Sequence, residues 1–147
     1  MKILVVSDTH YELDNLSKLL KKYPDMDLYL HAGDSERSPD ELFPFQSVKG
    51  NRDYLSSFPK ELVFNTPLGN LIMRHILQYS LNDLYEKNIK IVISGHTHKK
   101  DYRYHDGIYF INPGSLDYPR DGNRGSYAIV NIDVNQLQVK FHSIDDL

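Results

Sequence analysis

The chain has 147 residues, 40% of them hydrophobic, and a formal net charge of −3. That length suits one domain burying about two-thirds of its unfolded surface, and the near-balance of charges argues against disorder and against a basic face that coats duplex nucleic acid. With no cysteine in the chain, disulfides, thiolate metal ligands and a cysteine nucleophile are excluded, so a metal would need His, Asp or Asn.

In chain order, Lys2 to Val6 is β-branched and almost continuously apolar, the pattern of a strand covered on both faces. The run is too short for a signal-peptide core, and no stretch approaches the roughly 20 apolar residues of a spanning helix, so a cytoplasmic protein without a membrane partner is expected. After Ser7 to His10, the spacing of Leu13, Leu16, Leu19, Leu20 and Tyr23 predicts an amphipathic helix that stops before Pro24. Leu28 to Leu30 is a short strand leading into His31-Ala32-Gly33-Asp34, and strand, helix, strand closes naturally as a parallel pair.

Gln46 to Lys49 reads as a third strand, and Glu61 to Asn65 with Asn70 to Arg74 as a hairpin around Thr66 to Gly69. Leu81 to Lys87 is a helix candidate and Ile89 to Ile93 another β-branched strand. Beyond it the pattern turns to strands: 101 to 105, 108 to 112, 127 to 133 and 137 to 142, with turns at Asp106-Gly107 and Val134-Asn135. An α/β half followed by a β-rich half predicts two sheets packed face to face with helices outside.

The residues just past each strand carry the chemistry: Asp8-Thr9-His10, Gly33-Asp34, Gly50-Asn51, His75 and Gly95-His96-Thr97-His98. Ligands in α/β sheets bind beyond the carboxyl ends of strands, so groups scattered in sequence can converge there. In an extended chain, residues two apart project to the same side, so Asp8 with His10, and His96 with His98, are each expected to face one metal. The glycines before Asp34, Asn51 and His96 fit tight turns or close backbone approach. Two carboxylates, one amide oxygen and four imidazoles exceed a tetrahedral zinc site and suit two ions of higher coordination, with one carboxylate shared.

This ordered set, D-x-H, G-D, G-N, H and G-H-x-H, resembles the calcineurin-like metallophosphoesterase superfamily across nearly the whole chain. The compact length and Asn112-Pro113-Gly114-Ser115 make it most similar to the small YfcE-like bacterial and archaeal phosphodiesterases. The resemblance implies a single-domain, four-layer α/β/β/α sandwich with two mixed sheets. It implies one metal held by Asp8, His10 and His98, another by Asn51, His75 and His96, and Asp34 between them. A hydroxide bridging the two ions would then cleave a small phosphodiester. Donors of this kind favour manganese, with nickel, iron, cobalt or zinc as alternatives.

Three residues depart from the family pattern. Ile76 and Leu77 follow His75 where small residues are usual, which is expected to narrow the pocket and weaken the second metal site. Arg52 stands where many members have His; it cannot be a general acid, but its planar fork can hold two phosphate oxygens. Arg120, in the glycine-rich loop 119–125 with Arg124, is a further phosphate-binding candidate. His31 is expected to be a core or supporting imidazole, His105 a surface turn residue and His142 structural, while Asp53 either orients Arg52 or caps the segment after it. The many tyrosines suit sheet faces or a homodimer interface. The same metal core serves monoesterases and nucleases, and the retromer complex contains a protein of this fold that works as an interaction module; these are the competing expectations.

Overall fold

The computed structural model describes residues 1–147. Its elements in chain order are β1 (Lys2–Val6), α1 (Asp14–Lys22), β2 (Leu28–His31), α2 (Pro39–Leu42), β3 (Gln46–Ser47), β4 (Glu61–Thr66), β5 (Gly69–Arg74), α3 (Leu81–Glu86), β6 (Ile89–Ile93), β7 (Lys100–His105), β8 (Ile108–Pro113), β9 (Ser126–Ile132), β10 (Leu137–Ser143) and a final 3-10 turn, Ile144–Asp146.

Alternation explains why the apolar strands are continuous. In β1, Ile3 and Val5 enter a central cluster while Leu4 and Val6 enter an outer one, and all four are fully buried. The central cluster joins Leu71, Met73, Ile91 and Ile93 of one sheet to Ile3, Val5, Ala128 and Val130 of the other. Outside the first sheet, Leu16 and Leu19 of α1 complete the second cluster; outside the other sheet, Leu84 of α3 packs on Ile72 and Val92. Full burial of a leucine contributes about 1.5–3 kcal/mol, enough to hold these short helices to the sheets. The layers are therefore helix, sheet, sheet, helix.

The first sheet has the order β10-β9-β1-β2-β3 and the second β4-β5-β6-β8-β7. β1, β2 and β3 are parallel, as are β5, β6 and β8, while β9, β10, β4 and β7 join antiparallel, so both sheets are mixed. The parallel strands deliver Asp8, Asp34, Asn51, His75 and His96 from their carboxyl ends.

The third strand is shorter than its sequence suggests, pairing only Leu30 with Gln46 and His31 with Ser47. Beyond it Lys49 N–H turns away to Pro59 O at 2.7 Å. α2 has a clear but short signal: Ser38 caps it, Glu41 reaches back to the cap, and Pro39 stands at the first helical position. No helix is long and apolar enough to cross a membrane.

Candidate metal centre

The loops that carry the donors leave ordinary backbone conformation behind. Asp8, His10, Asp34, His96 and His98 have φ of 55°, 42°, 61°, 72° and 60°, the left-handed region that Asp and His tolerate better than most residues. The pairs Asp8/His10 and His96/His98 thus do not lie on extended chain, contrary to what their two-residue spacing predicts. The first pair still faces one point, but the second splits: His98 turns to Asp8, with its Nε2 3.3 Å from Asp8 Oδ1, and His96 to Asn51, with its Nδ1 3.0 Å from Asn51 Oδ1.

Backbone bonds lock the loops together, with Asp8 N–H donating to Gly33 O and His10 N–H to Asp34 O, both at 3.0 Å. At Gly50 and Gly95 the need for glycine is close approach, since an added Cβ would lie 2.0 Å from Asp34 Oδ1 and from Ser7 Oγ respectively.

Three imidazoles are oriented by groups that can only accept a proton. His10 Nδ1 is 3.1 Å from Glu36 Oε2, His75 Nδ1 2.7 Å from Ala32 O, and His98 Nδ1 2.6 Å from Tyr118 O. Each Nδ1 therefore carries the hydrogen, which leaves the Nε2 lone pair of the neutral ring facing inward. His98 Nε2 is 3.4 Å from His10 Nε2. His75 Nε2 lies 2.8 Å from Asn51 Oδ1, 3.2 Å from Asp34 Oδ2 and 3.8 Å from Asp8 Oδ1.

The donor set fits divalent ions. Asp8 Oδ1 is buried without a hydrogen-bond partner, and two inward lone pairs 3.4 Å apart repel unless a cation lies between them. Ligand atoms of Asp8, His10 and His98 fall within 4.8 Å of one another, as do those of Asp8, Asp34 and His75. The carboxylate common to both groups as the side chains stand is Asp8, whereas the family pattern implies Asp34 as the shared ligand; one Asp34 oxygen is held 2.7 Å from Arg52 N–H and the other faces His75.

Burial alone would raise the Asp8 carboxyl, yet the nearby His98 ring and the charge of His75 hold it below its ordinary value. Burial also works against Asp34, which the nearby His75 ring and the Arg52 N–H bond keep low. Both acids are thus in the form that binds metal. The Asp8 carboxylate, 3.3 Å away, raises His98; at His75 burial is outweighed by Asp34 and Asp8, and the pKa rises. Each marks a site whose negative field attracts positive charge.

The residues that support the donors have weaker sequence signals. Asp53, 2% exposed, neither orients Arg52 nor caps the next segment. Its carboxylate accepts from Glu36 N–H (2.7 Å), Gly50 N–H (2.8 Å) and Asp34 N–H (2.9 Å), clipping the Asp34 loop to the Asn51 loop. Ser115 Oγ donates to Asp8 O at 2.7 Å, and Asn112 Nδ2 to Gly95 O at 2.9 Å, which gives the Asn112–Ser115 segment its place. His31 is buried as expected: Gly33 N–H donates to its Nδ1 at 3.1 Å, leaving Nε2–H for Thr9 Oγ1 at 3.0 Å, and burial lowers its pKa to about 4. His142 stacks on buried Tyr127, and exposed His105 pairs with Asp106.

The pocket above these donors, about 270 Å³, is lined by His10, Asp34, Asn51, Arg52, His96, His98 and Arg120, without one hydrophobic residue. Arg52 and Arg120 thus stand at its mouth, whereas Arg124 is drawn away to Asp145 at 3.1 Å. Ile76 and Leu77 do not narrow this pocket; they line the neighbouring cleft, while His75 stays 3% exposed and firmly bonded.

Comparison with known proteins agrees with this geometry. Residues 1–135 match the calcineurin-like phosphoesterase superfamily domain. The chain is 32% identical to the probable metallophosphoesterase YsnB of Bacillus subtilis, over 97% of this chain and 90% of that one. A predicted phosphoesterase from Streptococcus pneumoniae superposes with a TM-score of 0.87 at 29% identity, covering 98% of this chain and 90% of the other. Vps29 of Entamoeba histolytica shares the fold, with a TM-score of 0.76 at 20% identity over 96% and 91% of the two chains. The chain belongs to the calcineurin-like phosphoesterase superfamily, as its ordered Asp, Asn and His motifs indicate.

Proposed function

We propose that this protein is a phosphodiesterase that works with two divalent ions, manganese foremost, on small phosphodiesters. Asp8, His10 and His98 would hold one ion, Asn51, His75 and His96 the other, and Asp34 would touch both. The observation that carries the proposal is the convergence of these seven donors below a wholly polar pocket, with Asp8 Oδ1 buried and unpartnered. Bound there, the ions would supply Lewis-acid charge and water of lowered pKa at neutral pH.

The chain's own residues do the rest. Arg52 and Arg120 line the pocket from its exposed side, where their guanidinium groups can pair with the non-bridging phosphate oxygens and offset charge that grows in the transition state. The Arg52 backbone meanwhile keeps one Asp34 oxygen occupied, which aims the other at His75. Glu36 and the carbonyls of Ala32 and Tyr118 hold three imidazoles in the ligating tautomer.

An interaction module built on this fold is the second reading, supported by the structural likeness to Vps29. Complete retention of the donor set favours catalysis. The test is hydrolysis of bis-p-nitrophenyl phosphate by manganese-loaded protein and by protein dialysed against chelator. Turnover that needs the metal is expected; a loaded protein with no turnover on any diester or monoester would favour the module.

A further inference from the structure

Two clefts adjoin the polar pocket. One, of about 410 Å³, shares Arg52 with it and presents exposed Tyr11, Tyr54 and Leu55. The other, of about 440 Å³, shares His96 with it and runs along Ile76, Leu77 and Phe110. Each reaches the size of a small-molecule subsite. A monoester needs only the central pocket, whereas a phosphorus carrying two ester groups has an arm for each flank.

The flanks differ in charge. In the Tyr11 cleft Arg37 pairs with Glu41 at 2.9 Å, Glu36 is held by His10, and Asp53 is spent on backbone N–H groups. In the Ile76 cleft, Arg103 is paired to Asp101 at 2.9 Å, but the ammonium groups of Lys99 and Lys100 have no carboxylate within ion-pair distance. Lys100 lies near the Asp121 carboxylate, which leaves Lys99 as the unpaired cation, and an apolar wall beside it suits a ring that carries a negative group.

Resting on the diesterase reading above, we infer that the Ile76–Phe110 cleft is the subsite for one ester arm of the substrate, and that this arm is a nucleoside bearing a second phosphate. The uncharged or less charged arm falls to the Tyr11 cleft.

The test uses manganese-loaded full-length protein and calorimetry with adenosine 3′,5′-bisphosphate and adenosine 5′-monophosphate, together with turnover of methyl p-nitrophenyl phosphate, a diester too small to fill the cleft. Wild type should prefer the bisphosphate by about fivefold, the scale of one exposed ion pair. Lys99→Glu should abolish the preference, Leu77→Ser should weaken both nucleotides, and neither should alter turnover of the methyl diester. A wild type that hydrolyses the methyl diester yet shows no preference, or one that Lys99→Glu leaves intact, overturns the inference and spares the diesterase reading. A preference sensitive to Lys99 in a protein that hydrolyses no diester overturns the diesterase reading and leaves the cleft as a nucleotide site.

Discussion

The floor of the site and its mouth are built by opposite rules. At the floor Asp8, Asp34, His75 and His98 are at most 4% exposed, each fixed by bonds to backbone or neighbouring side chains. At the mouth Arg52 and Arg120 are exposed, and no hydrogen bond or ion pair engages either guanidinium group. Rigidity below and freedom above suit a centre that must hold ions permanently and ligands briefly. Stability and metal content should therefore depend on the floor, and substrate affinity on the mouth.

The floor should break first and hardest. Asp34→Asn is expected to lower kcat/KM on bis-p-nitrophenyl phosphate by at least about a thousandfold, because one change weakens both ion sites. Asp53→Ala should come next, since it leaves three N–H groups, two of them buried, without their acceptor; a loss of about 3 kcal/mol in denaturant unfolding is expected, with reduced activity from a displaced Asp34 loop.

Acid attacks the same floor through His31. Its folded pKa of about 4 lies below the ordinary 6.5, so between those values the unfolded chain takes a proton that the folded one refuses. The contribution is complete above pH 6.5 and lost as pH falls towards 4, up to about 3 kcal/mol. Unfolding midpoints for wild type and His31→Asn in chelator should converge across that window as wild type loses its advantage; parallel curves would contradict this origin. The smallest effect belongs to the mouth. Arg52→Ala keeps the N–H that Asp34 needs, so about a tenfold loss in kcat/KM, mainly through KM, should occur with unchanged stability, and Lys should recover only part of it.

The fold and the convergence of the motif residues were legible because both rest on local pattern. Continuous apolar strands such as Ile3 to Val6 reflect burial on two faces, and β1, β2, β5 and β6 run on within three residues into a ligand motif. The parts that stayed hidden act across distance. Asp53 is an acidic residue after an arginine in the sequence, and only the packing of two loops makes it an acceptor for N–H groups as far as 19 residues away. The left-handed backbone at His96 and His98 has no local signature either, since His is merely tolerant of it, and that turn is what sends the two rings in different directions. Likewise Ile76 and Leu77 stand out as bulky in the sequence, but only the fold shows that their bulk faces a neighbouring cleft.

The central claim is a pair of ions in one chain, and metal stoichiometry tests it most directly. Manganese-loaded wild type, freed of loosely bound metal and measured by elemental analysis against protein concentration, should retain about two ions per chain, and Asp34→Asn markedly fewer. Retention of one ion or none by wild type, or full metal content with near-wild-type turnover in Asp34→Asn, would contradict it.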